Sequence, residues 1–504
     1  MTDKILFWLD QHLKQFCLSY YLQKEITAKI FAIIDITNNP RNFFETQNLV
    51  DFEKTWFFHD YVLPENKVDF EYLKSIEKKY GIDLWKYAIN ERIFYRFNDF
   101  YKFSESEMLS ILEKECRLFE NVLDEIKPDF VIMHETFFQS DEIFYKICKS
   151  KGIKILMSYV STFGYKHEIS QNSHVTDDLE KFSEIESKGR SFEELEEKFN
   201  RSRVEKYVQR LNEKQFGTNN DLLKASVEFL LKSKNKNPET HYTYFGRTKL
   251  KVILNTITNS LKTKTRKKFI DANLKQNVDL ERNYVYFPLH IDQERTSLIE
   301  SPFYTDQIEF IRNIVKSIPA GYTLYLKEHP SQETRHWRDQ KWYELVMDIP
   351  NVVLIHPDFS SKNLIKNSSL VITISGTAAL EAAFYKKPSI TFIDSDYTIL
   401  SSIERVKSIE DLPSIIRRSL EKKVDVSELD RYVTLMDSVT FDFDEAGFNE
   451  RCVDTFFYGG RLADANISVN NMEKFLVDEK KYFEEFTDNH IKKINFWNKN
   501  KTEI

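Results

Sequence analysis

Cysteine is scarce in this sequence, with only four in 504 residues. The four lie far apart and no two have CxxC spacing, which argues against a zinc site and against a disulfide framework. No low-complexity tract and no repeat of fixed short period is present either. The cysteine pattern fits a reducing cytoplasm best.

An excess of one charge and long apolar runs are missing as well. The 72 basic and 79 acidic residues give a formal net charge of −7, which leaves no whole-protein footprint for nucleic acid. An anionic ligand must therefore be bound locally. No run reaches the ~18 to 20 apolar residues of a membrane-spanning helix, and the N-terminus lacks a signal-peptide cleavage site. We expect a cytoplasmic protein, and peripheral attachment to the inner face of the membrane stays open.

Three common functional motifs do not occur: the GxGxxG fingerprint, the Walker A loop and HExxH. Their absence argues against dehydrogenases, P-loop NTPases and zincins. Apolar residues, by contrast, are abundant, because 41% of the chain is hydrophobic and 14% is aromatic. This composition supplies extensive cores, and the length predicts about two to four domains.

The N-terminal part of the chain, residues 1–165, alternates strand-like and helix-like segments. Its apolar runs at 4–9, 28–35, 128–133 and 152–159 are separated by segments with helical spacing of apolar residues. Strand, helix and strand in this order are typical of a mostly parallel sheet. We therefore predict a first α/β domain here.

Residues 166–280 are charged, favour helix and lack strand runs, which indicates a helical insertion or linker. They include the basic cluster KTKTRKK at 262–268. Such a cluster more often forms a solvated helix face, and the alternative is contact with phosphate or an anionic membrane surface.

The most regular alternation of strands and helices lies at residues 281–397. Its strands are near-continuously apolar, as expected for strands buried on both faces of a sheet. We predict a second α/β domain here. Residues 398–504 read as a largely helical tail, rich in Phe and Tyr at its end, that packs back on the other domains.

Ligands of open parallel sheets bind at the carboxyl ends of the strands. In the second domain this rule selects the loops that begin PLHIDQE, KEHP, HPDFSS and SGTAALE. In the last of them, Ser375, Gly376 and Thr377 close a strand and open a helix, so hydroxyls and helix N–H groups could receive a phosphate. Gly376 also lets the backbone approach a ligand. The alternative is an ordinary helix N-cap.

His329, in KEHP, follows an apolar strand, and Pro330 prevents the strand from continuing. An imidazole there can donate to a phosphate oxygen or, when protonated, neutralise a leaving group. Lys327 lies on the same face of the strand as His329 and could be a second phosphate contact, whereas Glu328 should point away. We favour a structural role for His356, which has no flanking charges.

Four further candidates follow from position. His290 in PLHIDQE belongs to the donor side, and Glu381, one turn into the helix after Thr377, could accept from ribose hydroxyls. In the first domain, Glu135 and Asp141 lie in the loop after a strand, where a carboxylate can act as general base or nucleophile.

The segments PLH, EHP and SGTAALEA occur in this order within 283–394, and there the chain resembles the capsule polysaccharide biosynthesis proteins, which include β-Kdo transferases. Over 1–165 the similarity is architectural. The resemblance implies a GT-B fold, α/β with two Rossmann-like domains whose parallel sheets face a cleft. It also implies a nucleotide-sugar donor on the C-terminal domain, an acceptor toward the N-terminal domain and no required metal or other cofactor.

Residue by residue, the resemblance implies that His329 contacts the donor phosphate, that Ser375 and Thr377 lie near phosphate or nucleotide, and that Glu381 reaches the ribose. CMP-Kdo is the donor it suggests. The expected acceptor is a bacterial surface polysaccharide or its lipid-linked primer, with other capsule-assembly proteins as further partners.

Two other functions stay open at this point. One is transfer of a polyol phosphate from a CDP-linked donor, as in teichoic-acid polymerases, which share the two-domain plan and a His-Pro motif. The other is a non-catalytic protein of GT-B type that binds glycan or scaffolds the assembly machinery.

Overall fold

The computed structural model describes residues 2–164, 166–202, 236–460, 462 and 464–501. Residues 203–235 of the predicted helical insertion lie outside this part of the chain. The described residues form two α/β domains, each built on a six-stranded sheet.

The first sheet has the strand order β3-β2-β1-β4-β5-β6, and all neighbours pair in parallel except β5 with β6. Its central strand β1 reads ILFWL over residues that are all buried, because helices cover both faces of the sheet. The six strands are β1 (Asp3–Asp10), β2 (Ala28–Asp35), β3 (Phe52–Phe57), β4 (Phe130–His134), β5 (Lys154–Val160) and β6 (His167–Ser170).

Alternate residues of β1 enter two different cores. Leu6 and Trp8 pack on one face of the sheet, and Ile5, Phe7 and Leu9 pack on the other. The helices of this domain are α1 (Lys14–Glu25), α2 (Asn38–Thr46), α3 (Phe70–Tyr80), α4 (Leu84–Asn90), α5 (Glu105–Ile126) and α6 (Gln139–Ser150).

The second sheet has the order β12-β11-β10-β7-β8-β9 and is parallel throughout. Both sheets therefore follow the Rossmann order, and the strand order reverses between β1 and β4 in one and between β7 and β10 in the other. The predicted fold class of two Rossmann-like parallel-sheet domains is confirmed. The strands are β7 (Tyr284–Pro288), β8 (Thr323–Lys327), β9 (Val352–Ile355), β10 (Leu370–Ile372), β11 (Ser389–Thr391) and β12 (Ile403–Arg405).

The remaining helices surround the second sheet or return to the first. They are α7 (Phe192–Ser202), α8 (Asn237–Thr240), α9 (Lys249–Asn273), α10 (Gln307–Ser317), α11 (Gln340–Met347), α12 (Ser361–Asn367), α13 (Ala378–Phe384), α14 (Leu412–Leu420), α15 (Val426–Val439), α16 (Glu445–Phe456) and α17 (Val469–Lys501).

Two short strands, β6 and β12, lie in segments where the sequence predicted helix. The strand β6 lies within the segment expected to be helical and joins the first sheet, and β12 extends the second sheet beyond residue 397. Both are very short, so they carry no clear alternation of apolar residues.

The helix α7 packs on the second domain, where Phe199 stacks on Phe384 with ring centroids 4.4 Å apart.

The C-terminal helices connect the two domains. Residues of α15 share a core with α13 of the second domain. Further along the chain, α16 and α17 pack on the first domain, and Tyr21 of α1 stacks on Phe483 of α17 with centroids 5.2 Å apart. The C-terminal tail thus runs from the second domain to the first.

Three observations concern the described residues as a whole. All four cysteines are buried and free. None of the helices described is both long and apolar enough to cross a bilayer. In the same part of the chain, no three His, Cys, Asp or Glu side chains are grouped as metal ligands would be, and the predicted metal independence stays a prediction.

Candidate functional site

His290 connects β7 and β10 at the switch point of the second sheet. Its Nε2 accepts from the backbone N–H of Ile374 at 3.2 Å and lies 3.1 Å from Oγ1 of Thr373. Because Nε2 is an acceptor, the ring proton lies on Nδ1. Burial and the neighbouring His329 and Arg338 lower the pKa of His290 to about 3. The ring is therefore a neutral N–H donor at neutral pH.

The turn from Ser375 to Thr377 lies beside this histidine. Gly376 has φ +134°, a backbone conformation that L side chains rarely adopt, and an added Cβ would lie 3.8 Å from Cε1 of His290. Glycine is thus favoured by conformation rather than by lack of space. Ser375 Oγ donates to Glu300 Oε2 at 3.0 Å, and Thr377 Oγ1 donates to Glu381 Oε1 at 2.9 Å. A ligand oxygen that accepts from either hydroxyl must displace that carboxylate.

Lys327 and Glu328, at the end of β8, point in opposite directions, as the strand period predicts. Lys327 is buried and its Nζ donates to Ser361 Oγ at 2.9 Å. Glu328 is fully buried, and its Oε2 accepts from Arg338 Nε and from Tyr343 OH, each at 2.9 Å. Glu328 therefore stabilises the loop, whereas Lys327 contacts Ser361, the first residue of α12.

His329 caps the short turn Pro330–Arg335, because its Nδ1 accepts from the N–H of Ser331 at 3.1 Å. The ring proton is therefore on Nε2. Burial, Lys327 and Arg338 lower the pKa of His329 to about 4. At neutral pH this side chain can donate a hydrogen bond to a phosphate oxygen but does not carry the positive charge that the sequence also allowed.

Arg338 ties the loops after β7 and β8 together. Besides its bond to Glu328, its Nη1 donates to Asp292 Oδ1 at 2.7 Å and its Nη2 donates to the carbonyl of His290. The side chains of Arg338 and Glu328 are 1% and 0% exposed, so this pair is fully desolvated. The pair therefore holds the backbone at His290 and His329 in place.

A histidine also connects the two switch-point strands of the first sheet. His134, the last residue of β4, places Nε2 3.0 Å from Asp10 Oδ2 at the end of β1, and its Nδ1 contacts the carbonyl of Glu135. Burial opposes the charge, but the Asp10 carboxylate raises the pKa of His134 to about 9. Burial also opposes ionisation of Asp10, but His12 and His134 hold its pKa below the usual range.

Glu135 lies in a cluster that spans the two domains, which we call the cross-domain cluster: Glu135, His174, Arg295 and Glu300. Glu135 Oε2 is 3.2 Å from His174 Nε2 and 3.8 Å from Arg295 Nη1. Arg295 Nη1 is 2.5 Å from Glu300 Oε1, and His174 Nε2 is 3.6 Å from the same oxygen.

The charges of the cross-domain cluster keep its carboxylates ionised. Burial alone would raise the pKa of Glu135, but His174 and Arg295 lower it to about 2. Burial likewise opposes ionisation of Glu300, and Arg295 and His174 hold its pKa below the usual value. Since Glu300 also accepts from Ser375, one chain of contacts runs from Glu135 to the turn beside His290.

The structure does not place Asp141 in this cluster. Its two oxygens accept from the backbone N–H groups of Phe137 and Phe138, at 2.9 and 2.8 Å. Burial raises the pKa of Asp141 to about 7. These contacts shape the loop before α6, which is a structural use of the residue.

Three members of the cross-domain cluster were missed from the sequence. Arg295 and Glu300 lie a few residues beyond the selected PLHIDQE loop, so following that loop further could have found them. His174 has no motif around it, and its backbone adopts φ 57°. It follows β6, which the sequence also did not reveal, and the pairing of β6 with β5 in the first sheet brings it near Glu135.

The sequence model of the family described as capsule polysaccharide biosynthesis protein matches residues 204–400. This segment is similar to that family. The resemblance noted between 283 and 394 is thereby confirmed, and the match includes every predicted residue of the second domain's site. No curated protein matches the chain significantly.

Solved structures with a similar arrangement include two UDP-GlcNAc 2-epimerases and one transferase. The epimerase of Methanocaldococcus jannaschii, in complex with UDP-GlcNAc and UDP, is 14% identical, with 86% of this chain and 99% of that chain covered and a TM-score of 0.24. The epimerase of Neisseria meningitidis, bound to UDP-GlcNAc, is 11% identical, with the same coverage and TM-score. KpsC of Thermosulfurimonas dismutans, a beta Kdo 2,7 transferase, is 10% identical, with 67% and 89% covered and a TM-score of 0.29.

Proposed function

We propose that the protein is a metal-independent GT-B glycosyltransferase that moves a sugar from a nucleotide-activated donor to a bacterial surface polysaccharide or its lipid-linked primer. The observation that carries this proposal is the meeting of His290, His329 and the Ser375–Thr377 turn at the switch point of the second sheet, within the segment of the capsule family. Crevices at such switch points are where open α/β sheets bind ligands.

The donor phosphate is the part of the substrate that this chemistry suits best. Two neutral imidazoles offer N–H donors, from Nδ1 of His290 and Nε2 of His329. Lys327 adds a cation on the same side of β8, with a pKa lowered to about 8 by burial. Donors fixed by backbone contacts need no reorganisation when charge develops on the leaving nucleotide.

Glu135 is the carboxylate we assign to the acceptor side. It is ionised at neutral pH and lies between the domains, next to Arg295 and His174. A carboxylate in this position can accept the proton of the attacking hydroxyl or contact the anomeric carbon. Closure of the cleft excludes water from the donor. Because the cross-domain cluster joins the two domains, the same closure would set the position of Glu135.

Product analysis tests the proposal. The purified protein is incubated with nucleotide sugars, CMP-Kdo first, and with glycan or lipid-linked acceptors, and the product mass and released nucleotide are measured. We expect a sugar to be added and one nucleotide to be released per transfer. Phosphorus in the polymer would instead indicate a polyol-phosphate transferase, and absence of turnover with any donor would leave a glycan-binding protein.

His329→Ala should weaken donor turnover while the fold stays intact, because it removes a phosphate contact and one turn cap. His356→Ala is a matched control, since His356 caps its own turn in the same way, with Nδ1 accepting from Asp358 N–H at 3.2 Å. We expect a drop of roughly 10- to 100-fold in kcat/KM for His329→Ala only. Equal activity of the two variants would remove His329 from the site.

Donor binding should weaken as the pH rises through about 8, because Lys327 then loses its charge. His290 and His329 stay neutral over this range, with pKa values of about 3 and 4. Titration of nucleotide affinity from pH 6 to pH 9 measures the effect. Lys327→Met should bind more weakly and lose the dependence, and a slope that persists in this variant would assign the titration to another group.

A further inference from the structure

The helix α9 exposes an apolar stripe on its outer face. Leu250, Leu254, Ile257 and Leu261 are 67%, 52%, 53% and 62% exposed. Their spacing of four, three and four residues places them in one line along a helix of 3.6 residues per turn, over roughly 16 Å. Single exposed apolar residues are common on protein surfaces, but an aligned set marks an interaction surface.

The opposite face of α9 is bound to the second domain. Thr263 Oγ1 lies 2.9 Å from His336 Nδ1, and Arg266 Nη1 donates to the carbonyls of His336 and Trp337 at 3.1 and 2.9 Å. Ile270, one turn further, is fully buried in the core of that domain. The stripe therefore points away from the protein on a helix whose second half is fixed.

Every charged side chain of α9 before Asp271 is basic: Lys249, Lys251, Lys262, Lys264, Arg266, Lys267 and Lys268. Two of them, Arg266 and Lys267, pair with Asp339 and Asp271 at the anchored end. Lys251, Lys262, Lys264 and Lys268 are exposed around the stripe. An apolar stripe bordered by lysines is the pattern of a helix that lies in a membrane interface.

We propose that α9 docks the protein on an anionic lipid surface. The four aliphatic side chains enter the boundary between headgroups and acyl chains, and the exposed lysines contact lipid phosphates. Charge complementarity selects this occupant over a second copy of the chain, because two copies of so basic a helix repel each other when their stripes meet face to face.

This surface is mechanically connected to the candidate site. His336, Trp337 and Asp339, which hold α9, follow directly on the turn Pro330–Arg335 that His329 caps. Docking would thus bring the carboxyl edge of the second sheet into a fixed relation to the membrane. Lipid binding through α9 does not depend on transfer activity.

Vesicle co-sedimentation of the full chain tests the docking surface. We expect binding to phosphatidylcholine vesicles that contain phosphatidylglycerol, little binding to phosphatidylcholine alone, and release by salt. The double variant L254S/I257S should reduce partitioning by roughly tenfold or more. Val477→Ser is the matched control, since Val477 on α17 is 67% exposed and should have no effect.

A second variant keeps the test decisive if L254S/I257S folds poorly. K262Q/K264Q leaves the stripe intact and should lose most of the preference for phosphatidylglycerol. Binding that is absent in the wild type, or that equals the wild type in both variants, would overturn the proposal. A dimer in light scattering that L254S/I257S converts to a monomer would also overturn it, by showing that a second copy covers the stripe.

Discussion

Glu135→Gln should reduce sugar transfer by roughly 10²- to 10⁴-fold, the range for loss of a general base, while the donor nucleotide still binds. Glutamine keeps the size of the side chain but removes the negative charge of the carboxylate, which His174 and Arg295 stabilise in the wild type. The donor contacts lie on the other domain and should persist. Steady-state kinetics and nucleotide titration of the same preparation measure the two effects separately.

Glu120→Gln is the matched control for this substitution. Glu120 is also a hydrogen-bonded carboxylate of the first domain, with Tyr72, Lys79 and Tyr80 as partners, and has no contact with the cross-domain cluster. We expect its activity to equal that of the wild type. If Glu135→Gln were equally active, the role assigned to Glu135 would be wrong and another carboxylate would have to act on the acceptor.

Arg338→Met should lower the free energy of unfolding by about 3–5 kcal/mol, because it leaves the Glu328 carboxylate buried without its cation. The same change frees the carbonyl of His290 and releases Asp292. Urea unfolding followed by tryptophan fluorescence measures the loss, since Trp337 and Trp342 lie beside the pair.

Two companion variants interpret the Arg338→Met result. Arg312→Met removes an exposed arginine that pairs with Glu309 on α10, and it should cost less than about 1 kcal/mol. The double variant Glu328→Gln/Arg338→Met removes both charges and should recover part of the stability. Arg338→Met as stable as Arg312→Met would show that the buried pair does not hold these loops.

Much of the fold could be predicted because its strands are near-continuous apolar runs between turn residues, as in β7 and β8. The strands that were missed carry weaker signals. β3 reads FEKTWF, where two charged residues interrupt the apolar pattern, and β6 and β12 are only four and three residues long. In these strands, pairing with a neighbour in the sheet decides the structure more than local pattern does.

The candidate site divides in the same way. The rule that ligands bind at strand ends selects His290, His329 and the turn at Gly376, because each follows a strand that the sequence reveals. The hydrogen-bond partners of these residues could not be predicted from the sequence. Ser375, for example, donates to Glu300 only because the chain between them folds back. The cross-domain cluster joins residues from both domains and therefore depends on how the domains pack.

Donor binding at the switch point of the second sheet is the central claim, and a thermal-shift panel with CMP, CDP, UDP, GDP and UMP tests it most directly. A ligand that binds the native state raises the melting temperature by mass action. We expect at least one of these nucleotides, a cytidine nucleotide first, to raise it in the wild type and to raise it less in His329→Ala. If none of the five nucleotides shifted the melting temperature, the nucleotide site, and with it the proposed transferase, would be contradicted.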